Sequence, residues 1–388
     1  MGMNPVSFRA GLPAYQAQAD ALLHGWKTGD REAILLAVRK HPKFLRPDVP
    51  WLPRHLTEAD IRSASFEMAD AQMAIARWYD FADWHRLEEY VDAVKQPGSP
   101  VARFEAGVEA VIDGDVDALR GLLRDDPELI HARSTRVTHF DPPVHRATLL
   151  HYVAANGVEG YRQRTPPNAV AVAALLLKSS AEVDALADMY GGQCTTMSLL
   201  VSSEHPAKAG VQVALVETLL DFAATLDAQG SGEWTSPLAT ALAFGYLPAA
   251  QALVGRGARI ETLAVAAGLG LLDDVRRLLA AASPLDRHRA TALAAQHGHV
   301  DVLRLLLDAG EDPNRYNPKG NHGHSTPLHQ AAWAGHAGVV RLLVERGARL
   351  DIKDTIHEGT PLGWAEYGGR KEIAEYLRTV GGTATPIR

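Results

Sequence analysis

Thr326-Pro327-Leu328-His329-Gln330-Ala331-Ala332 is followed by Gly335-His336, then by Val339-Val340-Arg341-Leu342-Leu343, and closes on Arg346-Gly347-Ala348. The same order returns 34 residues later as Thr360-Pro361-Leu362-Gly363-Trp364-Ala365, Gly369 and Ile373-Ala374-Glu375-Tyr376-Leu377. Threonine ahead of proline marks a helix start: the hydroxyl caps free N–H groups, and proline's missing N–H is not needed in the first turn. Paired alanines let two helices approach closely. The Leu-Leu pair gives the second helix an apolar face at helical spacing. Glycine after that helix supplies its left-handed cap. Such a unit cannot cover its own apolar face, so stability must come from stacking neighbours.

Working outward, weaker copies begin at Arg289, Glu261, Ser236, Thr195, Thr148 and Glu105. Thr148-Leu149-Leu150-His151 repeats the start most clearly, with Ala154-Ala155 and Gly157 behind it. About eight units fill residues 101 to 382. These starts and turns resemble the ankyrin repeat, whose length is about 33 residues. The resemblance implies an all-α solenoid with short β-turn fingers. Fingers would lie along one edge of a concave surface, inter-helix loops along the other, and the first helices would form the palm. His151 and His329 would be structural, bonding backbone between repeats. Two steps are short, and the fingers after Ile260 and before Thr291 are expected to shrink to tight turns.

Residues 1–98 lack the repeat and read as a helical capping region, with 99–388 as the array. Helices are expected over Ala14–His24, Asp30–Arg39, Asp70–Trp78 and Trp84–Val94, with another start at Thr57. The stretch from Asp70 to Trp84 resembles a helical module seen ahead of bacterial ankyrin arrays.

Composition narrows the function. Of 388 residues, 46% are hydrophobic and 22% charged, which excludes a chain dominated by disorder. A net charge of −7 offers no bulk attraction to nucleic acid or an anionic bilayer. The longest apolar run, 169–177, is too short to span a membrane. The single cysteine, Cys194, excludes an intrachain disulfide and a multi-cysteine zinc site. A cytoplasmic monomer without cofactor or metal is expected.

Repeats one to three are longer than the rest. The excess lies at 136–146, 158–168 and 204–210, and long ordered loops in a compact array are usually functional. Facing one another across the palm, these insertions would roof a polar groove. Its candidate residues are His139, Phe140, Asp141, His145 and Arg146 from the first insertion. Tyr161, Arg162 and Arg164 come from the second. Asp188 and Tyr190 lie just before the start at Thr195, and Glu204 and His205 come from repeat three. The arginines there, with Arg136, suit an anion. His139, Asp141 and His145 carry zinc-ligating groups, but an irregular loop fixes no coordination geometry. The main reading is a non-catalytic module that binds a protein through its concave surface, with Phe140, Tyr161, Tyr190, Trp234, Tyr316 and Trp333 as anchors. The alternative is an enzyme or a small-molecule, metal or anion binder using the roofed groove.

Overall fold

The computed structural model describes residues 4–157, 159–226 and 236–385. The chain divides into two compact units, Met1–Phe222 and Ala223–Arg388. Charge is shared unevenly between them. Residues 1–222 carry 29 acidic and 22 basic side chains, whereas 223–388 carry 17 of each.

The first unit opens with α1 (Leu12–Thr28) and α2 (Arg31–Lys40), joined by a turn at Gly29 with φ 78°. Asp30 caps α2 by accepting from the Ala33 N–H at 2.9 Å. Then come α3 (Glu58–Ser63), α4 (Met68–Trp78) and α5 (Trp84–Lys95). Thr57 and Asp60 close a reciprocal capping box on α3, as the sequence signals. This region has an aromatic core: Phe8, Tyr15, Tyr79 and Phe81 are all within 2% of full burial. Phe8 meets the rings of Phe81 and Tyr90 edge-on at 5.7 and 5.1 Å.

Repeats continue in the same unit. Helices α6 (Pro100–Asp113) and α7 (Val116–Asp125) form the first pair, turning at Gly114. The second repeat starts with a 3-10 helix, Leu149–Ala154, rather than an α-helix, and continues in α8 (Ala169–Lys178). Strands β1 (Ala187–Met189) and β2 (Gly192–Cys194) make an antiparallel finger. Its two-residue turn, Tyr190-Gly191, has positive φ at both positions, which matches the twist of a tight hairpin. Helices α9 (Thr196–Leu200), α10 (Glu204–Lys208) and α11 (Gln212–Asp221) complete the unit. The excess at 204–210 is therefore mostly a short helix.

Among its described residues, the second unit contains five helix pairs: α12 (Pro237–Ala243) with α13 (Leu247–Gly255), α14 (Leu263–Gly268) with α15 (Leu272–Leu279), and α16 (Pro284–Gln296) with α17 (Val300–Asp308). Then follow α18 (Pro327–Ala334) with α19 (Ala337–Glu345) and α20 (Pro361–Tyr367) with α21 (Lys371–Thr379). The alanine pairs and leucines read from the repeat form one apolar core, including Ala331, Ala332, Leu342 and Leu343.

Polar ladders hold these repeats in register. His329 accepts the Thr326 N–H at Nδ1, and its Nε2 lies 3.1 Å from the Gly359 carbonyl of the next repeat. His151 does the same with Thr148 and Cys194 O, so both histidines are structural, as the resemblance implied. A second ladder uses the residue after each turn glycine. His299 reaches Gly268 O at 3.0 Å, His336 reaches Gln296 O at 2.9 Å, and Arg370 reaches Trp333 O at 2.9 Å.

One of the two short fingers differs from its expectation. The link between α13 and α14 is a short irregular turn. The other step has no finger at all. Helix α16 begins at Pro284, five residues before the repeat's apparent start at Arg289, with Ser283 as its cap. The extra turn is used: the Asp286 carboxylate accepts the N–H groups of Leu263 and Ala264 at 2.9 and 3.1 Å, capping α14 from the neighbouring repeat.

Candidate functional site

The insertions do not all face one groove. The first, 136–146, runs against the turn between α4 and α5. Thr138 bridges Phe81 in antiparallel fashion, and the His139 N–H donates to Asp80 O at 3.3 Å. Arg136 donates to Tyr79 O. This segment therefore straps the N-terminal helices to the repeats. Its sequence gave no sign of that, because the partner residues lie more than 50 positions away.

The strap and the second insertion meet in a buried charge network. Arg136 is 1% exposed and lies 3.1 Å from Glu159. Arg162 pairs with both Glu159 and Glu105. The Tyr90 hydroxyl donates to Glu105 and the Tyr152 hydroxyl to Glu159, each at 2.8 Å. The Arg136 guanidinium also sits over the rings of Phe81 at 4.4 Å and Phe8 at 5.2 Å. Burial alone would raise the Glu159 carboxyl, but Arg136 and Arg162 outweigh it and hold the group at about 2. Two buried cations thus face two buried carboxylates. The expectation that Arg136 and Arg162 line an anion site is corrected: their charge is already compensated within the chain. Sequence reasoning missed Glu105 and Glu159. A glutamate on the apolar face of α6, beside Phe104 and Val108, was the available signal.

Asp80, in the strap's docking turn, is also buried, at 4% exposure. Burial pushes its carboxyl up to about 7, against the lowering influence of Lys40 and Arg136. Its Oδ2, Arg77 Nε and His139 Nδ1 lack hydrogen-bond partners.

Tyr190 bridges the β1–β2 finger and the loop of repeat two. Its hydroxyl lies 2.9 Å from Asn156 Oδ1 and 3.1 Å from Gly157 O, tying the β1–β2 tip to the loop at the end of the 149–154 helix. Asn156 in turn donates to Leu199 O and Ser202 Oγ. A cavity of about 30 Å³ lies between Asn156 and Met189, lined also by His145, His151, Glu159, Arg162 and Gln163. It has room for about two water molecules. Burial lowers His145 and His151 to about 4, so both rings are neutral at pH 7.

The remaining candidates are dispersed. His139 is half-buried against Phe140, ring centroids 4.0 Å apart, and Tyr161 packs on Tyr79 at 4.9 Å. Arg164 is exposed and pairs with Asp113. Glu204 is exposed and pairs with Lys208 at 2.7 Å. Asp141 and Arg146 are exposed; Asp188 and His205 are half-buried. Phe140 and Tyr190 are 41% and 54% exposed. Among the described residues, no group of three or more His, Cys, Asp or Glu is placed to hold a metal ion. No helix there is long and apolar enough to cross a membrane. Of the other aromatic anchors, Tyr316 and Trp333 are 39% and 41% exposed, while Trp234 lies outside the described residues, as does Val158.

A family model of ankyrin repeats in three copies matches residues 262–354. The human cyclin-dependent kinase 4 inhibitor B is 38% identical over 130 residues, covering 32% of this chain and 91% of that protein. The mouse ankyrin repeat and SAM domain-containing protein 6 is 41% identical over 88 residues, 23% of this chain. The Caenorhabditis elegans ankyrin repeat and KH domain-containing protein mask-1 is 26% identical over 284 residues, 71% of this chain. In each of the last two, the match spans 10% of the relative's length. The repeat starts, the histidine ladders and the near-complete coverage of the human relative agree: this chain belongs to the ankyrin repeat proteins.

Proposed function

We propose that the chain is a non-catalytic protein-interaction module whose binding surface lies on repeats one to three. The contact residues are the exposed Phe140, Asp141, Arg146, Arg164, Tyr190 and Glu204, with Asp188 and His205 behind them. His139, His145, Tyr161 and Arg162 hold that surface in shape from below. Residues 1–98 act as the array's helical cap, and the protein works as a cytoplasmic monomer.

One observation carries the reading: two large aromatics, Phe140 and Tyr190, stay exposed, the first on the strap that buried Arg136 ties to Tyr79 O and the second at the tip of the paired β1–β2 hairpin. A rigid, uncovered aromatic loses little conformational freedom on binding and makes a good anchor. The human relative supports a protein partner, since its name describes an inhibitor of a kinase. Affinity capture with the full chain supplies a partner. Phe140→Ala with Arg146→Glu is then expected to weaken its binding by about tenfold or more, with the melting temperature unchanged. Undiminished binding by this variant would reject the surface.

A further inference from the structure

A second surface stands out among the N-terminal helices. The ends of α1, α2 and α3 enclose an open groove of about 910 Å³. Its floor is apolar: Trp26, Ile34, Ile61 and Phe66 line it, and Leu35 is left 39% exposed. Trp26 stacks on Phe66 at 4.4 Å, so the floor is rigid. Helix α2, one wall, has ten residues and is about 15 Å long, which matches two to three turns of a docked helix.

The rim decides the charge of the occupant. Lys27 and Arg31 flank the Gly29 turn, both exposed, and neither forms an ion pair within the described residues. Of the other charged residues on the lip, Arg62 and Glu58 neutralise each other at 2.9 Å. Glu67 is engaged in the capping box of α4. Because Glu67 keeps its charge, the lip has an excess of one cation, with Lys27 and Arg31 unpaired among the described residues beside the apolar floor, in a unit where acidic residues outnumber basic ones. An anionic partner gains most at this lip and is repelled over much of the remaining surface.

We propose that this groove binds an acidic amphipathic helix of another protein, its apolar stripe on Leu35, Ile34 and Ile61 and its carboxylates on Lys27 and Arg31. The site is independent of the surface on repeats one to three. Recognition follows the helix-in-groove mode, with apolar anchors at i, i+3, i+4 and i+7.

The test uses the full chain and a fluorescein-labelled helical peptide with leucine at those spacings and glutamate elsewhere, beside a twin with lysine for glutamate. Fluorescence anisotropy is expected to show saturable binding of the glutamate peptide, about tenfold or more tighter than the twin. Lys27→Glu with Arg31→Glu reverses that preference, and Leu35→Glu weakens the glutamate peptide by about tenfold. Circular dichroism confirms that each variant folds. Photo-crosslinking of the glutamate peptide to the unmodified chain gives a readout that needs no variant, with adducts expected in 26–35 and 58–67. Equal affinity for the twins, indifference to the charge reversal, or adducts elsewhere would overturn the proposal. So would a concentration-dependent dimer that Leu35→Glu abolishes, which would assign the groove to a second copy of this chain.

Discussion

The hydroxyl of Tyr190 lies 2.9 Å from Oδ1 of Asn156, and this bond joins the tip of the β1–β2 finger to the loop after the 149–154 helix. Tyr190→Phe keeps the ring and removes the latch. Because the site is half open to water, the global loss is expected to be about 1 kcal/mol or less. The clearer effect is local: amide hydrogen exchange over 187–194 should quicken while the rest of the chain is unchanged. Equal exchange in the two proteins would show that the latch does not hold the hairpin.

Glu105 faces a buried cation, so its removal leaves Arg162 with one carboxylate instead of two. Glu105→Gln is expected to cost about 3–5 kcal/mol in urea unfolding, the range for breaking a buried pair from one side. Replacing both partners, as Glu105→Leu with Arg162→Met, should cost less than the single change. A double variant worse than the single one would contradict the account of a charge network that is costly mainly when half complete.

Asp80 is held high, at about 7, against an ordinary 3.8. The folded state therefore keeps a proton that the unfolded chain releases. Stability from this group is complete below about pH 4 and is lost as pH rises to about 7. Asp80→Asn is expected to stabilise the protein at pH 8 relative to the parent and to make little difference at pH 4. The asparagine also tolerates the left-handed backbone there, φ 62°. Melting temperatures at the two pH values check this, and a variant that is equally affected at both rejects it.

The buried histidines work in the opposite direction. Burial lowers His145, His151, His297 and His329 from 6.5 to about 4. The folded state binds fewer protons here than the unfolded chain. Their contribution is present above pH 6.5 and disappears as pH falls to about 4. Glu159, held at about 2 against 4.5, adds a further loss between those values. Unfolding free energy is therefore expected to drop steeply on acidification from pH 6.5. His329→Gln should flatten the part of that slope that lies between pH 6.5 and 4. A slope identical to the parent's would show that His329 does not titrate with folding.

Particular residues show how far the chain could be read in advance. Thr326 and Pro327 are adjacent, so their role at the helix start was legible from local sequence, while the structural role of His329 followed from the resemblance to ankyrin repeats. The glycines at 270, 298 and 335 likewise announced their turns: each has positive φ. Arg136 was legible only as a polar residue in a long loop. Its partners, Glu159 on one side and Tyr79 and Phe81 on the other, come from two separate segments, and no local pattern links them. Tyr190 was singled out as a candidate, but its bond to Asn156 depends on where the Asn156 loop ends.

Sequence by itself thus determined the repeated helix pair, its caps and its apolar faces, because those depend on contacts within one unit and its identical neighbours. Tertiary structure alone decided the destination of each insertion. A loop of irregular sequence takes the path that satisfies its buried charges, and for 136–146 the partners are Glu159 in the next insertion and the α4–α5 turn far earlier in the chain.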